Sequence, residues 1–454
     1  MPEGSDSLHA SVRGLTLAAA LLACAGIGSS GPALGEPTQI TVATVNNGDM
    51  IIMQSLTSQF EKAHPDIKLR WVVLEENVLR QRVTVDIATR AGQFDVVTVG
   101  NYEVPIWAKQ GWLTPFDNLP AEYDVDDLIG TVREGLSVNG KLYGLPFYAE
   151  SAMTYYRKDL FEKAGITMPE QPSYQQVRQF ADALTDRKNR VFGICLRGKP
   201  GWGENMAYLT TLVHTFGGQW FGQDWKPALD APAWANAIAY YVDILKKDGP
   251  PGATSNGFNE NLVLFAGGRC GMWIDSTVAA GLLYDSSQST VADKTAFAAM
   301  PQGEYKAGPT WLWSWNLAIP ATSKKQEAAR TFVQWATDKN YVKLVAKEKG
   351  WVSAPPGTRR STYASEEYRK AAPFSGFVLK AIEGSNPNGQ TQTPRPEDAS
   401  GAQFVSIPEF QGLGTNVGQT LAATLTGRST IADALSTAQG AATRTMQQAG
   451  YPKK

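Results

Sequence analysis

Two carboxylates set among aromatic and apolar residues are the positions best suited to chemistry. Glu150 lies in Phe147-Tyr148-Ala149-Glu150-Ser151 and Asp275 in Met272-Trp273-Ile274-Asp275-Ser276. Such a pair can serve as the acid and base of a glycosidase. Ionised carboxylates in the same setting also accept hydrogen bonds from hydroxyls, at roughly 1.5–3 kcal/mol for each charge-assisted bond. The residues alone do not separate the two uses. Trp311, Trp313 and Trp315 recur with period two, which places them on one face of a strand. That face is either core or a flat wall for the C–H surfaces of a polyol or sugar, and Trp202 and Trp273 extend the pattern.

Other chemistries have little support. The three histidines, His9, His64 and His214, are isolated and lack metal-ligand spacing. There is neither a serine nucleophile elbow nor a phosphate loop. Gly412-Leu413-Gly414-Thr415-Asn416-Val417-Gly418 has the glycines of a dinucleotide turn without their spacing, and reads as a loop entering a helix. Lysine and arginine (42) balance aspartate and glutamate (43), so nothing electrostatic favours nucleic acid or an anionic membrane as partner. No cofactor is expected.

The elements that must hold these residues form an α/β pattern. At 454 residues the chain exceeds an ordinary single core, so two lobes are expected. Gln39–Val45 and Ile67–Leu74 read as strands, and Phe94–Val99 as a short apolar strand covered on both faces. Helices over Met50–Ala63, capped by Asp49, and over Val78–Ala91, stopped by Gly92, alternate with them. Each strand runs into a polar, turn-forming cluster: Asn46-Asn47-Gly48, Glu75-Glu76-Asn77 and Gly100-Asn101-Tyr102. Ligands of open α/β sheets bind beyond such strand ends, although asparagine and glycine are also ordinary loop residues.

Tyr143–Gly165 links the two masses: a turn with Pro146, then Tyr148 and Glu150, a strand over Ala152–Tyr156, and a helix over Lys158–Ala164 stopped by Gly165. The second lobe repeats the alternation. It has helices at Tyr174–Leu184, Met206–Phe216 and Ala231–Lys247, and strands at Val191–Leu196 and Gly271–Ile274. Between them lies the glycine-punctuated loop Arg197-Gly198-Lys199-Pro200-Gly201-Trp202-Gly203-Glu204-Asn205. The Trp311–Asn316 run, a helix over Lys325–Asp338 and an alanine-rich helix over Thr430–Ala449 complete the chain.

Leu15–Ile27 is a short apolar run after Arg13, followed by the small residues Ala33-Leu34-Gly35, which reads as an export signal with the mature chain starting at Glu36. Leu21-Leu22-Ala23-Cys24 resembles a lipoprotein processing site; cleavage after Gly35 is the favoured reading. Export leaves Cys195 and Cys270, which read either as a disulfide or as two separate buried thiols.

Several of these segments together resemble the periplasmic solute-binding proteins of ABC-type sugar importers, and within them the sorbitol- and mannitol-binding branch. They are Val45–Met50, Gly100–Trp107, Phe147–Ser151, Leu196–Asn205, Met272–Ser276 and Trp311–Trp315. The resemblance implies a two-lobed periplasmic-binding-protein fold with a multi-crossing hinge and a ligand cleft between the lobes. Residues 1–35 would be the signal peptide, 36–148 plus 313–354 the first lobe, and 149–312 plus 355–454 the second. Implied ligand contacts are Asn46, Asn47, Asn101, Tyr102 and Tyr148 from the first lobe and Glu150 at the hinge. Lys199, Trp202, Glu204, Asn205, Trp273 and Asp275 would come from the second lobe, with Trp313 on the crossing back and Arg395 from Pro394-Arg395-Pro396. The implied function is a non-catalytic periplasmic receptor, monomeric, that binds a linear polyol (sorbitol, mannitol or arabitol) and delivers it to the permease. A mono- or disaccharide binder is the alternative within the class, and a secreted glycosidase the alternative outside it.

Overall fold

A computed structural model describes residues 36–303, 305, 311–385, 396 and 402–452. The expected export signal, Cys24 and Arg395 lie outside the described residues. Nine strands build two mixed sheets: β1 (Thr38–Val45), β2 (Ile67–Leu74), β3 (Val96–Gly100), β4 (Leu145–Glu150), β5 (Ala152–Arg157), β6 (Phe192–Cys195), β7 (Cys270–Ser276), β8 (Thr295–Ala299) and β9 (Trp313–Ala318). The first sheet has the order β2-β1-β3-β9-β4 and the second β8-β5-β7-β6. In the first, β1 is parallel to β2 and β3, while β9 lies antiparallel between β3 and β4. Every residue of β3, β4 and β9 is buried, as expected for strands covered on both faces.

The chain passes from one sheet to the other at Ser151, a single residue between β4 and β5. It returns at β9, whose Trp313 pairs with Glu150. Both crossings therefore run side by side, and Glu150 stands at the last position of the first sheet before the second begins. Cys195 and Cys270, on adjacent strands of the second sheet, form a disulfide, which decides between the two readings left open above. Three helices follow the last crossing, Arg360–Ala364, Glu366–Ala371 and Ser375–Glu383, and the last of them touches both halves. Thr131 donates to the Ile382 carbonyl on one side, while Phe377 packs at a tilt against Phe297 on the other.

Most elements fall where hydrophobic pattern and capping residues put them. The helix Tyr174–Leu184 has the expected bounds and starts in a capping box between Ser173 and Gln176; Lys158–Ala164 ends on Gly165 in the left-handed conformation. Four local readings are corrected. The first helix is capped by Asn47, whose side chain accepts from the Met50 N–H, rather than by Asp49, which sits inside the first turn. It also breaks at Leu56 into Gly48–Ser55 and Thr57–Ala63. Asp275 and Ser276 belong to β7 itself, because they pair with Met153 and Ala152 of β5. Gly412–Gly418 is helical, within Phe410–Leu425: Gly414 and Gly418 let that helix pack closely on Trp202 and Asn205, and glycine there serves contact rather than a turn.

Candidate functional site: a closed interlobe cavity

The strand ends of both sheets converge on a cavity of about 160 Å³. Of the residues expected at a site, Asn46, Asn47, Tyr148, Glu150, Lys199, Trp202, Glu204 and Trp313 line it. The first half also contributes Glu75, Glu76 and Arg80, from the helix Glu76–Thr89 and its cap, and Trp315 of β9; the second half contributes Arg197, Phe258, Asn259, Glu260 and Ala207, and Trp311 and Gln403 close the remaining wall.

The aromatic wall is fixed by a buried cation. The Arg80 guanidinium carbon lies 4.0 Å from the Trp202 ring centroid, 4.7 Å from Trp315 and 4.8 Å from Trp313. Arg80 is itself held by Glu76 (Nη2–Oε1 2.9 Å) and Glu103 (Nη1–Oε1 2.6 Å). Glu103 accepts in addition from the Gly100 N–H. Gly100 must be glycine, since a Cβ there would collide with the Trp313 indole.

On the floor, Asn47 joins the two uses of its amide. Oδ1 caps the first helix and Nδ2 donates to the Tyr148 hydroxyl at 3.1 Å, which leaves the phenolic hydrogen free to donate elsewhere. Glu150 is buried, and loss of water pushes its carboxyl up to about 8, partly offset by a hydrogen bond from Ser276 and by Arg197. Arg197 enters from the loop after β6. Its Nε and Nη2 make a forked pair with Asp275 (2.9 and 2.6 Å), and Nη1 donates to the Gly203 carbonyl at 2.7 Å. Asp275 also accepts from Trp273 Nε1 and from the Ser276 N–H, so its oxygens are fully engaged by protein donors.

Four residues that line the cavity each carry a buried polar atom without a hydrogen-bond partner: Trp202 Nε1, Trp311 Nε1, Glu204 Oε2 and Gln403 Oε1. Unpaired buried groups are costly, and here two donors and two acceptors of that kind belong to residues around one void. The halves are closed over that void by direct bonds. Lys199 Nζ meets Glu75 Oε1 at 2.6 Å, Asn259 Nδ2 donates to the Asn46 carbonyl at 2.9 Å, and Asn77 Nδ2 to the Pro200 carbonyl at 3.3 Å.

Five of the expected contacts do not line the cavity. Asn101 is bonded to the Leu312 carbonyl and the Ser314 N–H across the crossing, and Tyr102 donates to the Ile407 carbonyl beneath Trp202. Asn205 bridges the Gly201 N–H and the Gly418 carbonyl, and Trp273 and Asp275 sit behind Arg197. Among the lining residues the sequence reading did not select, Arg197 and Glu76 carried a signal, as charges inside a glycine-rich loop and a polar strand end. Gln403 carried none, since nothing local marks it.

A fold of two α/β halves closing a small polar cavity at a double crossing defines a two-lobed binding protein, and residues 47–343 match the family model for the bacterial extracellular solute-binding protein. The chain belongs to that family, whose members bind solutes and are not enzymes. It is 51% identical over 99% of its length to the whole of a mannitol-binding protein of Pseudomonas aeruginosa. An ABC transporter solute-binding protein of Agrobacterium vitis, solved with bound D-mannitol, matches over 92% of this chain and all of its own, at 55% identity and a TM-score of 0.90. At 24% identity, a solute-binding protein of Agrobacterium radiobacter in complex with ribitol shares the fold, with a TM-score of 0.79 over 90% of this chain and 99% of its own.

Proposed function

We propose that this chain is the periplasmic receptor of an ABC importer, closing on an acyclic polyol of the mannitol, sorbitol or arabitol type and presenting the closed form to the membrane permease. The observation that carries this reading is the cavity with its four unpartnered polar atoms. A hydroxyl both donates and accepts, so a chain of hydroxyls meets indole N–H groups and carboxyl or amide oxygens at once, while its C–H edges lie on Trp311 and Trp313. At about 160 Å³ the void has room for a small solute. The mannitol-binding protein and the mannitol-bound structure are each more than 50% identical to this chain, and the disulfide suits an oxidising compartment outside the cytoplasm.

In this reading the first lobe is 36–148 plus 313–354, the second 149–312 plus 355–454, and the receptor acts as a monomer. Asn47, Tyr148, Glu150, Arg197, Trp202, Glu204, Trp311, Trp313 and Gln403 touch the ligand. Asn101, Tyr102, Asn205, Trp273 and Asp275 position those groups. An analogue lacking a hydroxyl strands a buried partner, and selectivity follows without any bond being made or broken. Thermal-shift and calorimetric titration across D-mannitol, sorbitol, arabitol, glucose and maltose test the proposal. Saturable heat from a polyol with a raised melting temperature supports it; heat from the sugars alone overturns it.

A further inference from the structure

The cavity holds more carboxylates than its cations can serve. Each cation is already claimed: Arg80 by Glu76 and Glu103, Arg197 by Asp275, and Lys199 by Glu75. Glu204 has only longer contacts to two of them. It is buried, its nearest cationic atoms are Lys199 Nζ at 3.5 Å and Arg197 Nη1 at 3.9 Å, and its Oε2 has no hydrogen-bond partner. Although Glu204 opens the helix Asn205–Thr215, it draws no N–H from it. The Asn205 and Met206 amides donate instead to the carbonyls of Lys199 and Gly201, and the Ala207 amide to the Glu204 carbonyl rather than to its carboxyl. Two further carboxylates face it from the other half, Glu75 and Glu76; Glu260 lies on the helix beside it, and Glu150 shares the cavity.

We infer that Glu204 enters the closed cavity as the neutral acid, donating its O–H to a ligand hydroxyl, so that closure on the polyol takes up a proton. This rests on the polyol reading above. The balance is simple: one proton passes from solvent to the Glu204 carboxylate as the lobes close, and no other bond forms or breaks. Burial and the facing Glu76 push this carboxyl up to about 8, in the direction the geometry requires. Opening the cleft returns Glu204 to water and to the ordinary range of a glutamate, near 4.5. The bound form therefore holds the extra proton between those limits. Affinity is highest at the acid end and falls by up to about tenfold per pH unit as pH rises toward 8.

The test is calorimetric titration of the full mature chain with D-mannitol at one pH in buffers of different ionisation heat, repeated across pH 5.5–8.5. The expected result is net proton uptake by the wild type, reduced by about one proton in Glu204→Gln. Glu204→Gln, which keeps an N–H donor, should also bind more tightly than Glu204→Leu, and with a shallower dependence on pH. Polyol binding without proton uptake, or uptake unchanged in Glu204→Gln, overturns this inference and leaves the polyol reading standing. Absence of polyol binding at every pH overturns the reading beneath it.

Discussion

Replacing Asp275 by alanine should cost the fold far more than removal of one ligand contact. The side chains of Asp275 and Arg197 are 1% and 7% exposed, and the carboxylate takes two guanidinium nitrogens, an indole N–H and a backbone N–H. Breaking a buried pair by removing one partner costs about 3–5 kcal/mol, because the surviving charge is left in a low-dielectric site. Glu204, 3.9 Å from Arg197, can take part of that charge, so about 3–4 kcal/mol is expected. At ~2.1 cal/mol/K per residue, a cooperative unit of about 250 residues shifts some 2 °C per kcal/mol, giving a melting temperature lower by roughly 6–8 °C. Differential scanning calorimetry measures it directly. The double variant Arg197→Met with Asp275→Leu should recover much of the loss, since two apolar side chains need no compensation. Asp275→Ala melting within about 1 °C of wild type would refute the assignment of Asp275 as the anchor of Arg197.

Other outcomes follow from the same contacts. Cys195→Ser with Cys270→Ser opens a loop spanning a sequence separation of 75 and should lower stability by about 4 kcal/mol in the chain-entropy model, read by urea unfolding. Gly100→Ala drives a methyl into the Trp313 indole; a loss of about 2–3 kcal/mol in stability is expected, with weakened polyol binding by calorimetry. Because Glu150 is pushed up to about 8, the folded chain holds a proton that the unfolded chain has released above about 4.5. Its contribution is complete below 4.5 and is lost as pH rises through 8, at up to about 1.4 kcal/mol per pH unit. Melting curves from pH 5 to 8 should therefore slope downward, and less steeply in Glu150→Gln.

The strands and most helices were legible because their patterns are local. β2 is a run of β-branched and aromatic residues ending at a polar turn, and Lys158–Ala164 carries its own glycine stop. Glu150 was legible as a site residue because a carboxylate amid aromatics has few structural explanations. Pairing was not legible. Asp275 and Trp273 have the residue types of ligand contacts, yet Asp275 is consumed by Arg197, a partner 78 positions away that local spacing cannot reveal, and the Trp273 indole N–H by Asp275. Tyr102 and Asn205 are diverted in the same way, to Ile407 and Gly418. Conversely, Gln403 reaches the cavity only because a distant segment returns across both halves. Its Nε2 donates to the Leu312 carbonyl while Phe404 packs on Tyr102, Trp202 and Trp313. The glycines at 414 and 418 mislead for a similar reason, since close helix packing and turns both call for glycine.

The most direct measurement is a crystal structure of the chain grown with D-mannitol. The polyol should lie in the cavity between Trp311 and Trp313, with hydroxyls within about 3.2 Å of Glu204 Oε2, Trp202 Nε1, Trp311 Nε1 and Gln403 Oε1. Polyol bound elsewhere on the chain, with those four atoms still unpartnered, would contradict the assignment of this cavity as the binding site.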